Sequence, residues 1–444
     1  MLSQFTLVAW SRKCEWTFRK AGIGCLVALA LLFGFPASVF GQITYYVSTS
    51  GSTSNSGLST NSPWPLTYAL NTVGPSNTIM LLPGLWSNGN WQVRNSFTTI
   101  KSFVKWGAVL SNGTPFSGLN MAGPNISNAV IDGLRITANT NSGIFLSGSP
   151  NCTVRNCWVD HAGCAGRGTG IDGIYSPNLL VENCLVEYCG VGGDLIHSHG
   201  FYVSGTNILI RNNVVRYNNA SGIQVNDNSG MGSTNVWILN NLIYGNNTWG
   251  FVSETSGRNT VNLINNTIIC TNYCMTSQCH ITSYMNVSNN ILYGGKALMF
   301  LSDNPNPIAY QADYNITNRG DANFSPSSPH SFAVTTIDAI GFVNPNNGGL
   351  FWLQATSPAV GAGFSMIPPA FTVTNAQAIS VYPQVDFFGV VEVNITDIGA
   401  FQYNLYCARD KRVLDPSPVS PNYWQAFTQM SPPTDLHIVP GSSH

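Results

Sequence analysis

Two of the chain's seven histidines, His197 and His199, stand one residue apart in GGDLIHSHGFYVSG, with Asp194 before them and Tyr202 after. Imidazole titrates near neutrality. A carboxylate beside it raises its pKa and fixes its tautomer. Such a grouping suits proton transfer, with His199 as base and Tyr202 as acid. Two nearby stretches carry the same residue types. Asp160 and His161 precede Arg167, and TGIDGIY holds Asp172 and Tyr175. Whether these groups meet depends on the elements that carry them.

Those elements repeat. CTVRNCWV, LLVENCLV, ILIRNNVV, VWILNNLI, VNLINNTI and MNVSNNIL share one pattern. Their first asparagines are Asn156, Asn183, Asn212, Asn240, Asn265 and Asn289, 24 to 29 residues apart. AVIDGLRI is read with Asp132 in the same place. Each repeat has two short alternating strands meeting at the Asn. A third strand begins at a glycine, as in SGIFLSG, DGIYSPN, HGFYVSG, SGIQVND and WGFVSET. One coil of about 25 residues has no core of its own, whereas stacked coils bury an apolar face on every side. The expectation is an all-β solenoid of three-strand coils. Its asparagines would stack as a ladder in a tight turn.

With these motifs the chain resembles the right-handed parallel β-helix proteins of the pectate lyase-like superfamily over roughly residues 43 to 403. The resemblance implies that the Asn ladder marks the turn between second and third strands. GFYVSG and its equivalents are then first strands, and the long variable segments are third turns. The stretch 45 to 84 resembles that superfamily's N-terminal entry, with a capping helix expected around residues 64 to 73. SPAVGAG (357 to 363), Asp386 to Gly389 and DIGAFQY (397 to 403) resemble the closing segment of secreted bacterial β-helix proteins. There the first element usually has Asp where this chain has Gly361. The expected organisation is a signal peptide (1–41), cap and first coils (42–128), central coils (129–332), a closing segment (333–403) and a Pro/Ser-rich tail (404–444).

The resemblance also implies a substrate groove along the first strand, walled by the third turn. Counting two residues before an inward apolar residue puts Asp172 and His199 in one column, about 4.8 Å apart. Counting one residue after it gives an outward platform of Phe145, Tyr175, Tyr202 and Gln224. Asp160, His161, Arg167, Asp194 and His197 would border the groove. Asp160, Glu187 and Arg216 share a column, which suits a structural charge ladder.

Three functions fit this inventory. A polysaccharide lyase needs a base and a group that neutralises the uronate carboxyl, here Arg167 or a calcium ion held by Asp172 and Asp194. An inverting glycoside hydrolase needs two carboxylates about 6.5–9.5 Å apart, for which Asp172 and Asp194 are candidates. The third function is glycan binding without catalysis. The lyase comes first, acting on an extracellular polysaccharide as a monomer.

Composition limits the partners. Charged residues make up 8% of the 444, against about 25% in an average soluble protein. The net charge of -1 argues against nucleic acid. Arg12, Lys13, Arg19 and Lys20 precede the apolar run AGIGCLVALALLFGFP, and Val39-Phe40-Gly41 precedes Gln42. This has the form of a secretory signal peptide, with an uncleaved anchor as the rival. No later segment is long and apolar enough to span a membrane, so a secreted or cell-surface protein is expected. Of the 11 cysteines, nine remain after Cys14 and Cys25, so at least one is unpaired within the chain. Cys157 and Cys184 should be stacked core thiols, and Cys164 and Cys189 a disulfide. Cys270, Cys274, Cys279 and His280 suit a local disulfide better than zinc.

Overall fold

The computed structural model describes residues 42–112, 117–121, 126–163, 168–191, 193, 195–227, 230–255, 257–279, 283–300, 309–318, 329–345, 350–364, 371–373, 377–379 and 397–400. The signal-peptide region, Cys164, Arg167, Asp194, His280, residues 386–389 and the tail from 404 lie outside them. The chain divides after Ile43, and the coils belong to the unit that starts at Thr44.

One coil shows the plan. A second strand, Thr153–Arg155, turns at Asn156 into a third strand, Trp158–Asp160. A third turn leads to the first strand, Ile171–Ile174. Each strand pairs in parallel with its counterpart in the next coil. Second strands form an eleven-stranded sheet. Third and first strands form two further faces, which fuse where Thr267–Cys279 and Ile291–Phe300 run through both. The inward residue of each strand fills one continuous core, exemplified by Val154, Val159, Ile171, Ile210, Val215 and Phe201.

The glycine that opens five successive first strands has a steric cause, and Cys274 takes its place in the next coil. A Cβ on Gly200 would lie 2.5 Å from Val215 Cγ1 and 2.6 Å from the Gly222 carbonyl. Gly143, Gly170, Gly222 and Gly250 face the same obstruction. The third turn therefore brings backbone against the next coil, and only glycine fits.

The asparagine turn differs from expectation by one residue. Asn156, Asn183, Asn212, Asn240, Asn265 and Asn289 hold φ of 53–58°, the left-handed conformation that Asn tolerates. The inner file of amides is instead the following residue: Asn213, Asn241, Asn266, Asn290 and Asn315. Asn241 donates to Asn266 Oδ1 at 3.0 Å and to the Ile210 carbonyl at 3.0 Å, and accepts from Asn213. Asp132 is likewise displaced: it pairs with Arg155, and Gly133 takes the left-handed position. Cys157 and Cys184 occupy the inner position in two earlier coils, as buried free thiols. The Cys184 amide donates to Asn213 Oδ1 at 2.9 Å. Cys270 and Cys274 form a disulfide. Cys189 is buried; its expected partner, Cys164, is outside the described residues.

A helix, Leu66–Thr72, begins after Pro65 and buries Leu66, Ala69 and Leu70 against the core. No helix among the described residues is long and apolar enough to cross a membrane. Near the other end, Ile337–Ile340 and the antiparallel pair Phe342–Asn344 with Leu350–Leu353 join a second apolar cluster. That cluster includes the outward residues Leu185, Val214, Leu242 and Tyr244 of the third strands. Gly361, in the left-handed region, donates its N–H to Asp397 Oδ1 at 2.8 Å. Asn265 donates to the Asp397 carbonyl, tying this segment to the coils.

Candidate active site on the first-strand face

Ile171 is fully buried, and a Cβ on Gly173 would strike the Leu179 side chain at 2.5 Å. Both therefore point inward, and Asp172 points out. Its register neighbours are Phe145 in the preceding coil and Tyr202 in the next. The outward column runs through Asn120, Phe145, Asp172, Tyr202, Gln224, Val252 and Thr276.

This register corrects two expectations. Asp172 does not share a column with His199; it takes the platform position expected of Tyr175. Counting from Ile174 as the inward residue gives the expected columns, whereas the residues that face the core are Ile171 and Gly173. Tyr175 instead has φ 51° and opens the following turn, 44% exposed. The column holding His199 runs Ser142, Thr169, His199, Ser221, Trp249 and Tyr273.

His199 is 1% exposed rather than open to the groove. Its Nδ1 accepts the Ser221 N–H at 3.3 Å, which places the proton of the neutral ring on Nε2. A ring whose lone pair is engaged with backbone is a poor base. It stacks on Tyr202, with centroids 5.6 Å apart and planes 23° from parallel, so its geometry suits positioning of that phenol.

Asp172 has the environment of a proton-transfer group. Its Oδ2 accepts from Ser142 Oγ at 3.3 Å, while Oδ1 is buried without a partner. Burial raises its pKa to about 7, and the Ser142 bond offsets only part of that.

Asp160 is withdrawn from any groove at 1% exposure. Arg135 reaches it at 2.9 Å, His161 Nδ1 at 2.8 Å, and Thr137 also bonds it. Burial would raise its pKa, but the bonds from His161 and Arg135 pull it below the usual range. The bond to Asp160 correspondingly raises the pKa of His161, whose ring stacks on Tyr188. Asp160, Glu187 and Arg216 do share one column. Arg216 bonds Glu187 at 2.6 Å and the Tyr244 hydroxyl at 2.7 Å beneath the second apolar cluster. Asp160 and Glu187 are thus each held in an ion pair. His197 is exposed on the third turn.

Glu254 and Asn226 join this face although motif and spacing did not single them out. They occupy the next outward column, two residues beyond Val252 and Gln224, and pair in register. Gln224 Nε2 donates to Glu254 Oε2 at 2.7 Å. The alternation in IQVND and FVSET carries the signal, since Ile223, Val225 and Phe251 are core residues. Among the described residues no group of three or more His, Cys, Asp or Glu side chains could hold a metal ion. Asp172 has the rings of Phe145 and Tyr202 as its register neighbours; Asp194, its partner in the calcium alternative, lies outside the described residues.

A family model described as a right-handed beta helix region matches residues 87–203 and 127–268. The chain folds as a right-handed parallel β-helix. Pectate lyase Pel9A superposes with a TM-score of 0.55 at 17% identity, covering 81% of this chain and 96% of that one. A family 28 exopolygalacturonase of Yersinia enterocolitica gives 0.40 at 11% identity, covering 65% and 68%. An alginate lyase from Paenibacillus sp. str. FPU-7 gives 0.35 at 16%, covering 61% and 95%. At 17% identity the likeness to Pel9A is one of fold. No curated protein matches the chain.

Proposed function

We propose that this is a secreted carbohydrate-active enzyme that cleaves a uronate-containing polysaccharide by β-elimination, with Asp172 as base. The observation that carries the proposal is the Asp172 carboxyl, outward on the first-strand face, with one unpartnered oxygen and a pKa of about 7. A base poised near the working pH is what abstraction of a proton next to a carboxyl requires. The fold shared with a pectate lyase supports the substrate class.

The chemistry balances with this chain's own groups. The Asp172 carboxylate takes the proton next to the uronate carboxyl, the carbon–oxygen bond to the leaving sugar breaks, and a double bond forms. Tyr202, in the next coil, gives its phenolic proton to the leaving oxygen. His199 holds the Tyr202 ring by stacking. The first strands from Ser142 to Cys279 carry no Lys or Arg. For neutralisation of the uronate carboxyl we assign Arg167, five residues before Asp172 in the sequence.

An inverting hydrolase is less well supported. The second carboxylate on this face among the described residues, Glu254, lies three inter-coil steps from Asp172, about 14 Å by strand spacing. That exceeds the roughly 6.5–9.5 Å of an inverting pair. The test is incubation with a panel of uronate polysaccharides, following absorbance of the unsaturated product. A rise that disappears in Asp172→Asn supports the lyase. New reducing ends without that absorbance would mark a hydrolase, and binding without either product a glycan-binding protein.

A further inference from the structure

Among the described residues one side chain donates to the Asp172 carboxyl: Ser142, whose Oγ reaches Oδ2 at 3.3 Å. The other oxygen, Oδ1, is buried without a partner. Ser142 belongs to the preceding coil, three residues before Phe145, the register neighbour of Asp172. The bond therefore crosses from one coil to the next, and stacking of the coils sets it. Ser142 is 3% exposed and stands in the column that continues through Thr169 and His199. Its hydroxyl makes no other hydrogen bond among the described residues. The same column supplies His199, whose ring stacks on Tyr202 with centroids 5.6 Å apart. Each reacting group of the outward column is thus touched by one member of the column that leads into the strands.

A carboxyl that has lost water holds its proton unless a donor favours the ionised form. A base must be ionised to act. Phe145 faces Asp172 from the preceding coil and the Tyr202 phenol from the next, with the His199 imidazole behind that phenol. Among the described residues no charged side chain contributes to the ionisation of Asp172. Burial raises its pKa, and the Ser142 bond is what opposes the rise.

We propose that Ser142 is a positioning residue for the base: its hydroxyl holds the Asp172 carboxyl ionised and in one orientation on the first-strand face. The catalytic meaning rests on the lyase function proposed for Asp172; the hold of Ser142 on Asp172 does not require it.

The experiment compares wild type, Ser142→Ala and Ser142→Thr in the full chain. Threonine keeps the hydroxyl, and Thr169, buried in the same column one coil on, shows that the position accommodates it. Carbon-13 NMR of the aspartate carboxyls follows Asp172 directly, its signal assigned by its loss in Asp172→Asn. Ser142→Ala should raise the Asp172 midpoint by roughly one to two pH units, and Ser142→Thr should restore it. Turnover of a uronate polymer by Ser142→Ala should fall about fivefold or more at pH 7 and recover in mild base, with KM little changed. A serine that only fills space would leave the midpoint in place and depress turnover equally at every pH. Should the alanine variant fail to fold, Ser142→Cys, near-isosteric and a weaker donor, is titrated instead and should shift the same way. An unmoved midpoint, or a raised one that threonine does not restore, overturns the proposal. A raised midpoint restored by threonine, with no unsaturated product from any uronate polymer, leaves the hold on Asp172 standing and removes the lyase. Unsaturated product with an unmoved midpoint keeps the lyase and removes the role of Ser142.

Discussion

At the scale of residues, Asp172 decides the chemistry because its neighbours leave it under-solvated. An ordinary aspartyl pKa is about 3.9, and burial beside Phe145 and Tyr202 raises this one to about 7. Turnover should therefore climb as pH rises through about 7, as the base loses its proton. Asp172→Asn should lower turnover by about 10²–10⁴-fold; a variant near wild type would move the chemistry elsewhere on the face. The same shift has a consequence for stability. The folded state holds this proton more tightly than the unfolded chain, so the contribution is fully present below about pH 4. It is lost as pH rises toward about 7 and is flat above. Asp172→Asn should accordingly be more stable than wild type at about pH 8, by on the order of 1–3 kcal/mol. Thermal unfolding of both proteins in acid and in mild base measures this, and a variant destabilised in mild base would contradict it.

At the scale of elements, two devices hold the coil. The inner amide file satisfies buried groups that a turn would otherwise strand. Asn241→Leu removes bonds to Asn213, Asn266 and the Ile210 carbonyl. It should cost about 1–3 kcal/mol in urea denaturation, and a neutral result would show that these amides exchange readily with water. The second device is the glycine at the start of five successive first strands. Gly200→Ala places a methyl group 2.6 Å from the Gly222 carbonyl. Backbone there has no room to yield, so a loss of about 1–3 kcal/mol is expected from the same measurement. Asp172 and Tyr202 sit on strands opened by such glycines, so the variant should also impair turnover beyond its loss of stability.

At the scale of the whole molecule, the outer face of the third strands is covered while the first-strand face carries the candidate site. Phe351 packs edge-on against Tyr244 at 5.0 Å and against Phe342 at 5.2 Å, over the face that also buries Arg216. Phe351→Ala should cost about 3–5 kcal/mol and uncover Tyr244 and the Glu187–Arg216 pair. Calorimetric unfolding with hydrogen exchange at residues 242–244 checks both effects. Protection unchanged from wild type would mean that the segment contributes little to that face.

The repeated strands, their order around the coil and the glycine starts at Gly143, Gly200, Gly222 and Gly250 were legible in the chain, because each follows from local alternation and a recurring turn; in the coil of Asp172 the start is Gly170, not the Gly173 of DGIYSPN. The shared column of Asp160, Glu187 and Arg216 was legible for the same reason: equal spacing from the turn gives equal height on the strand. Which asparagine lies inside was not, since two adjacent asparagines are interchangeable until backbone conformation makes one left-handed and turns the other inward. The register of Asp172 failed similarly. IDGI offers two apolar residues, and only packing of Gly173 against Leu179 shows that Ile171 is the inward one. Burial of His199 and the orphaned oxygens of Asp172, Gln224 and Asn226 depend on neighbours one or more coils away. The sequence by itself determined which strands exist and how they recur. Tertiary structure decided which side of each strand faces the core and which polar atoms lose water, because both depend on contacts between coils that local spacing does not specify.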